Sequence, residues 1–294
     1  MLTPASVILI LYAVATLNYI GTVNSAFTYQ GKIALVTGGS QGIGYEIIRE
    51  LLRNGLKGVT LVDVNEKTGR KTAKEFNQLY APGKVIFIPA DVSNGEQFEN
   101  AFKIALYHWK RLDIVVNNAA VFNENTWKMQ VDVNVVGTLQ GTLLGFEYMS
   151  KAKGGSGGTI INIGSIAAID PIFFLPFNSA TKSFVVGLGR ALGHKIYYDY
   201  NEVRVITLCP GTTNTSSPNK VGFRESLSNE LSPYVVDAAL LSSKAYPTQA
   251  SSNVAKGVVT VLNEGGSGSV WVVENDEPAY EIDFPERESM RKEG

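Results

Sequence analysis

The chain has few of the residues that metal and thiol chemistry require. Its 294 residues include one cysteine, Cys209, so no internal disulfide can form and no set of thiolates can hold a metal. The two histidines, His108 and His194, show no H-x-x-x-H spacing, which argues against metal catalysis. Neither sign of charge dominates: 26 Lys and Arg stand against 27 Asp and Glu, so no net field favours nucleic acid or an anionic membrane. There is no internal repeat and no linker long enough to separate domains. What remains is ordinary globular composition, 45% hydrophobic and 18% charged, in a chain long enough for one large core.

Charge is also missing from the start of the chain, where nothing charged precedes Lys32. Residues 5–17 (ASVILILYAVATL) form an apolar run, followed by small and polar residues to Ser25 and Ala26. Residues 1–26 read as a secretory signal cleaved near Ser25 or Ala26, although only the α-amino group supplies positive charge ahead of the run. Asn18, Gly21 and Asn24 interrupt it before ~20 apolar residues accumulate, so no stable membrane span is expected. The expected location is outside the cell or in the secretory lumen. The alternative is an N-terminal arm on a cytoplasmic protein.

From residue 30 on, Val/Ile/Leu-rich runs alternate with longer helical patterns. Strands are expected at 32–37, 59–64, 85–90, 114–117, 159–163, 203–209 and 269–273, and helices at 42–54, 66–80, 94–110, 128–152, 177–200 and 248–263. That alternation predicts an α/β fold: a Rossmann-type, doubly wound parallel sheet of about seven strands in one three-layer domain, residues 27–280. Residues 212–246 lack a period and are rich in Ser, Asn and Pro, which suggests a substrate lid inserted before the last helix. Residues 281–294 read as a charged, solvated tail.

Chemistry enters at Thr37-Gly38-Gly39-Ser40-Gln41-Gly42-Ile43-Gly44, between an expected strand and an expected helix. Glycines there allow a tight turn and a close approach of backbone to a pyrophosphate seated on the helix N-terminus. Asp63 ends the next strand nineteen residues after Gly44, near the spacing at which a carboxylate binds ribose hydroxyls. It would accept from the 2′-OH and repel a 2′-phosphate, so NAD is the expected cofactor rather than NADP.

Taken in order, Thr37 to Gly44, Asp91-Val92, Asn117-Asn118-Ala119-Ala120, Asn134, Ser165, Lys182 and Pro210-Gly211 resemble the motifs of the short-chain dehydrogenase/reductase family over about residues 30–275. Within it, Met149-Ser150-Lys151 through the GGSGG loop (154–158) to Thr159-Ile160-Ile161-Asn162 is similar to the 15-hydroxyprostaglandin dehydrogenase group. Tyr246-Pro247-Thr248-Gln249 and Val270-Trp271 are similar to insect alcohol dehydrogenases. The resemblance implies that Asp91 hydrogen-bonds the adenine and Val92 contacts it. Asn118, Ala119, Ala120, Pro210, Gly211 and Thr213 would line the cofactor, and Thr215 would meet the nicotinamide carboxamide. A turn or capping role for Asp91, and a purely structural one for Asn117 and Asn118, remain open. The resemblance also implies a homodimer, with the apolar 177–200 helix as its surface, although such a stripe could equally be core.

The most informative scarcity is a single side chain. In this family a tyrosine exchanges the hydroxyl proton, a serine holds the substrate oxygen, a lysine lowers the phenol pKa and grips the nicotinamide ribose, and an asparagine orders a relay water. Ser165, Lys182 and Asn134 match three positions, and Asn178 stands where the tyrosine belongs. A carboxamide neither loses nor gains a proton near neutral pH. The literal Tyr80-x-x-x-Lys84 lies in a Pro-Gly turn, and Tyr197, Tyr198 and Tyr200 stand too far along the helix to substitute.

Three readings stay open: lost dehydrogenase chemistry, a slow enzyme relaying through water or Ser165, and a substitution in an otherwise active protein. The expected substrate is a small-molecule secondary alcohol, ketone or hydroxy-lipid, with Phe173 and Leu175 as an apolar wall beside Ser165 and Asn178. Phe173 or Phe174 could equally pack into the core. The alternative function is a non-catalytic secreted binder of NAD or lipid.

Overall fold

The computed structural model describes residues 27–215, 222–243 and 246–291. The expected signal segment 1–26 lies outside the described residues, as do parts of the expected lid and the last residues of the expected tail.

Seven parallel strands form the sheet: β1 (Ile33–Thr37), β2 (Gly58–Asp63), β3 (Val85–Pro89), β4 (Ile114–Asn117), β5 (Gly158–Ile163), β6 (Val203–Pro210) and β9 (Val270–Val273). Their spatial order is β9-β6-β5-β4-β1-β2-β3, and an eighth strand, β10 (Tyr280–Ile282), adds antiparallel to β9. The order reverses direction between β1 and β4, the crevice at which doubly wound sheets place ligands. A two-residue pair, β7 (Thr213–Asn214) on β8 (Gln249–Ala250), lies beside the carboxyl ends.

The strands are buried on both faces because alternate side chains serve two cores. Ala34 and Val36 of β1 pack with helices α1 (Gly42–Arg53) and α9 (Ser251–Glu264), and with Phe76 of α2 (Glu66–Leu79). Ile33 and Leu35 pack on the other face with Phe98 and Phe102 of α3 (Gly95–Trp109) and with Met149. At the amino end of the sheet, Asp113 is 2% exposed and accepts from the N–H of Ile33 (2.9 Å), Lys32 Nζ (3.1 Å) and Arg111 Nε (2.8 Å). Burial pushes this carboxyl up, but Arg111, the Ile33 N–H and Lys32 outweigh it and hold the pKa below the ordinary value.

Three sequence expectations need correction. The pattern over 128–152 is not one regular helix: α4 starts as Trp127–Gln130, widens into a π-helical stretch Val131–Gly137 and resumes as Thr138–Met149. The pattern over 177–200 breaks into α5 (Pro176–Leu192) and α6 (Lys195–Asn201), because Gly193 packs against Gly268, where a Cβ would lie 2.3 Å from its Cα. The solvated tail does not begin at 281: β10 pairs with β9, and Phe284 stacks under Arg190 at 3.9 Å. The segment expected as a lid carries two helices, α7 (Phe223–Ser226) and α8 (Pro233–Ser242).

Replacing Asp113 with Asn should destabilise the protein by about 3 kcal/mol at pH 7, since it leaves two cations around a neutral amide. The wild-type carboxylate is fully stabilising above its unfolded pKa of ~3.9, and that contribution fades as pH falls through its lower folded value. Urea unfolding at pH 7 and near pH 3 should therefore show the gap between the two proteins closing at the acid end.

Candidate active site

The glycine turn is built by close contact. Gly38 and Gly42 adopt positive φ (62° and 58°), which L side chains resist. A Cβ on Gly38 would lie 2.9 Å from Ala119 Cα, and one on Gly44 would lie 2.2 Å from the Gly38 carbonyl oxygen. Thr37 fixes the turn to β4: its hydroxyl oxygen accepts from the N–H groups of Asn118 and Ala119, both at 3.0 Å, while Asn118 Nδ2 donates to the Thr37 carbonyl at 2.8 Å. Asn118 is thus a strut between the two strand ends. Helix α1 opens at Gly42, so its first N–H groups, including that of Ile43, are directed out of the helix end. A narrow glycine cradle at a helix N-terminus fits a dinucleotide pyrophosphate.

Asp63 is aimed at the same turn. Its Oδ2 accepts from the Ser40 N–H (3.1 Å) and its Oδ1 from the Asn65 N–H (2.9 Å), which orients the carboxylate before any ribose arrives. Asp91 serves the local turn: its Oδ1 accepts from the Ser93 N–H (2.9 Å) and hydroxyl (2.7 Å) ahead of α3. The turn role is therefore present, with Oδ2 left for another partner. Val92 is buried against Gly137, and Ala120 is exposed after β4. Pro210 ends β6, Gly211 donates its N–H to Val273, and Thr213 is held by its hydroxyl on the Gly211 carbonyl. Thr215 side-chain carbons lie 3.5 Å from where a Gly42 Cβ would be, so the chain after β7 starts out beside the glycine turn. A cavity of about 740 Å³ adjoins this turn, lined by Gln41, Gly42, Lys71, Asn214, Gln249 and Ser251 among others. Ser165, Asn178 and Lys182 are not on its wall.

The residues expected to carry the chemistry sit at the end of β5 and on α5. Ser165 Oγ accepts from the Ala167 N–H at 3.1 Å, capping a short 3₁₀ turn and leaving its O–H to donate elsewhere. Lys182 is 7% exposed, and its Nζ donates to the Ile163 carbonyl at 2.9 Å. Burial pulls its pKa down to about 8, partly countered by the neighbouring Cys209, whose own thiol burial pushes up to about 11. Asn178, 8% exposed, lies one turn before Lys182. Asn134 lies in the π-helical stretch, accepts from the Val121 N–H (2.8 Å), and donates to the Val121 carbonyl (3.0 Å) and Thr181 hydroxyl (3.3 Å). Its side chain ties the β4 loop to α5, whereas the π-helix takes backbone groups out of the regular ladder beside it.

Sequence reasoning missed Glu124. It is fully buried, and its carboxylate accepts from the N–H groups of Phe177 (3.0 Å) and Asn178 (2.9 Å). Helix α5 has Leu175 at its N-cap, with no side-chain capping bond, and Pro176 at its first position. That uncapped start was the available signal, since the orphan donors need an acceptor from elsewhere. The expected apolar wall also divides. Phe173 is 56% exposed, and Leu175 is buried at the helix start. Phe174, adjacent to them, is buried edge-on against Phe223 of α7 and Tyr246.

The family profile described as short chain dehydrogenase matches residues 32–237. The chain is 36% identical over 234 residues to the 15-hydroxyprostaglandin dehydrogenase [NAD(+)] of Rattus norvegicus, covering 80% of this chain and 87% of the relative. It is 30% identical over 192 residues to alcohol dehydrogenase 1 of Ceratitis capitata, covering 65% and 74%. Among solved structures, a short chain dehydrogenase/reductase from Burkholderia phymatum in complex with NAD superposes with a TM-score of 0.68 at 24% identity, covering 84% of this chain and 90% of that one. That likeness concerns the fold.

A buried lysine without a negative partner makes a testable pH signature. Its folded pKa lies below the unfolded value of ~10.4, so the unfolded chain holds the extra proton between about 8 and 10.4, and this group makes stability rise with pH there. Lys182→Met removes the effect. Its stability relative to wild type should be higher at pH 7 than at pH 10 by on the order of 1–3 kcal/mol, read from denaturant unfolding at both values. An equal difference at both pH values would show that Lys182 is not buried in its charged form.

Proposed function

Because the chain belongs to the short-chain dehydrogenase family, whose members are oxidoreductases acting on CH–OH groups, we propose that it binds NAD and handles a secondary alcohol or hydroxy-lipid with its proton-transfer step impaired. The observation that carries this reading is the neutral carboxamide of Asn178, buried one turn from Lys182 in a centre otherwise furnished for hydride transfer.

The glycine turn from Thr37 to Gly44 would hold the pyrophosphate, and Asp63 the adenosine ribose. A bound dinucleotide supplies the hydride acceptor. The preference for NAD over its phosphorylated form rests on Asp63, whose two oriented oxygens favour hydroxyl donors and repel a 2′-phosphate. The 15-hydroxyprostaglandin dehydrogenase relative is named for NAD as well.

Ser165 would donate its O–H to the substrate oxygen. Lys182, with a pKa brought near 8, would place a partly protonated amine beside that oxygen and hold the nicotinamide ribose. Asn178 can orient the substrate oxygen by donating Nδ2–H, but it cannot take up the alcohol proton. That proton must leave through water, Ser165 or the lysine, each less well matched than a phenol. Loss of a positioned acid/base lowers rates ~10²- to 10⁴-fold. Of the expected wall, Phe173 stays exposed just ahead of α5 and favours an apolar substrate, whereas Leu175 is buried with Phe174. A second reading, a binder of NAD or lipid without turnover, draws on the same amide.

The test is NADH formation by wild type and Asn178→Tyr across secondary alcohols and hydroxy-lipids, with NAD affinity measured in parallel. The tyrosine should raise kcat ~10²-fold or more while NAD affinity stays within a few-fold. NAD binding without turnover in either protein would favour the binder. Absence of NAD binding in both would overturn the dinucleotide reading.

A further inference from the structure

The loop that supplies Glu124 touches two parts of the molecule through consecutive residues. Glu124 takes the first free N–H groups of α5, those of Phe177 and Asn178. Asn125 faces the lid: its Nδ2 donates to the carbonyls of Glu225 (3.1 Å) and Leu227 (2.8 Å), and its Oδ1 accepts from the Asn229 N–H (2.8 Å). None of these three bonds reaches α5. Gln130 Nε2 donates to the Asn123 carbonyl at 3.0 Å and steadies the loop from α4. The lid is seated on the same side by Leu227 and Phe223, which cluster with Phe174 and Leu175 just ahead of α5.

We propose that Glu124 is a positioning residue for the Ser165–Asn178–Lys182 centre, and that Asn125 makes its hold on α5 depend on the docked lid. Glu124 and Asn125 are neighbours on one backbone, ~3.8 Å apart at Cα, so loosening the lid bonds of Asn125 loosens the segment that carries Glu124. A fully buried carboxylate has no water ready to replace a lost donor, so its two bonds to α5 tolerate little displacement. Asn178 owes its N–H bond directly to Glu124, and Lys182 stands one helical turn beyond. Contacts that hold the lid down would thereby set the register of α5 at the chemical centre. The coupling holds whether Asn178 slows turnover or abolishes it, so its test needs no substrate.

Amide hydrogen exchange on the full-length chain separates the two links. Asn125→Ala removes three lid bonds and no bond to α5. It should speed exchange at Asn229, and at Phe177 and Asn178 as well, by roughly tenfold or more. Faster exchange in the lid with Phe177 and Asn178 unchanged would overturn the coupling, and so would no change at either place. Glu124→Gln replaces two carboxylate acceptors by one amide oxygen. It should speed exchange at Phe177 and Asn178 while leaving Asn229 protected, and unchanged exchange in α5 would overturn the positioning role.

A second readout follows the centre itself. The pH dependence of Lys182 reductive methylation by formaldehyde and a borane, followed by peptide mass spectrometry, should shift its midpoint upward in Asn125→Ala, toward an ordinary lysine. A midpoint identical to wild type, with the lid amides exposed, would show that lid and centre move independently. Were Glu124→Gln to fail to fold, Asn125→Ala would decide both claims through the α5 amides and the lysine midpoint.

Discussion

Parallel strands buried on both faces must all end on the same side, and that constraint organises the molecule. Main-chain pairing occupies the interior of the sheet, so side chains with polar work to do collect where β1, β2, β4, β5 and β6 run out. Thr37, Asp63, Asn117 and Ser165 stand at or just beyond such ends. The neighbouring strands are registered there by side chains as well as backbone: Asn117 pairs with Asn162 across β4 and β5, and its Nδ2 donates to Asn162 Oδ1 at 2.8 Å. Gly141 leaves room for this pair, since a Cβ there would sit 2.0 Å from Asn117 Oδ1. Small residues on α4 thus let the helix approach a polar layer without displacing it.

Against that layer, charge decides what the centre can do. Lys182 is brought into a buried site by α5, with the Ile163 carbonyl as its hydrogen-bond acceptor and a buried thiol nearby. A phenol in place of Asn178 would give the ammonium a group whose ionised form it stabilises. The amide offers nothing to ionise, and burial lowers the lysine pKa, countered only in part by Cys209.

Most of the fold could be read from the sequence because its signals are local. Continuous Val/Ile/Leu runs mark doubly buried strands, and the turn from Gly38 to Gly44 with Asp63 one strand later has a fixed spacing. Asn178 declared itself through its distance from Ser165 and Lys182. The features that escaped depend on partners distant in the chain. Residues 280–282 are a strand only because β9 offers an edge, and the charged surroundings of Glu281 point the other way. The break at Gly193 answers to Gly268, seventy-five positions on. The π-helical stretch around Asn134 has a helical sequence pattern and differs from an α-helix only in its register.

Glu124 shows the limit most clearly. In Asn123-Glu124-Asn125-Thr126 a carboxylate flanked by turn-forming residues reads as solvated, and locally nothing contradicts that. What buries it is the helix start more than fifty residues later, where Leu175 and Pro176 leave the first N–H groups without an acceptor. A serine or aspartate at 175 would have closed the helix by itself and freed Glu124 to face water. Because the cap is remote, one buried side chain must satisfy the donors that hold Asn178 in place, and its own placement depends on a loop whose next residue bonds to the Glu225 and Leu227 carbonyls. Local self-sufficiency would have made α5 indifferent to its surroundings, whereas borrowing its cap ties the geometry of the centre to the rest of the fold.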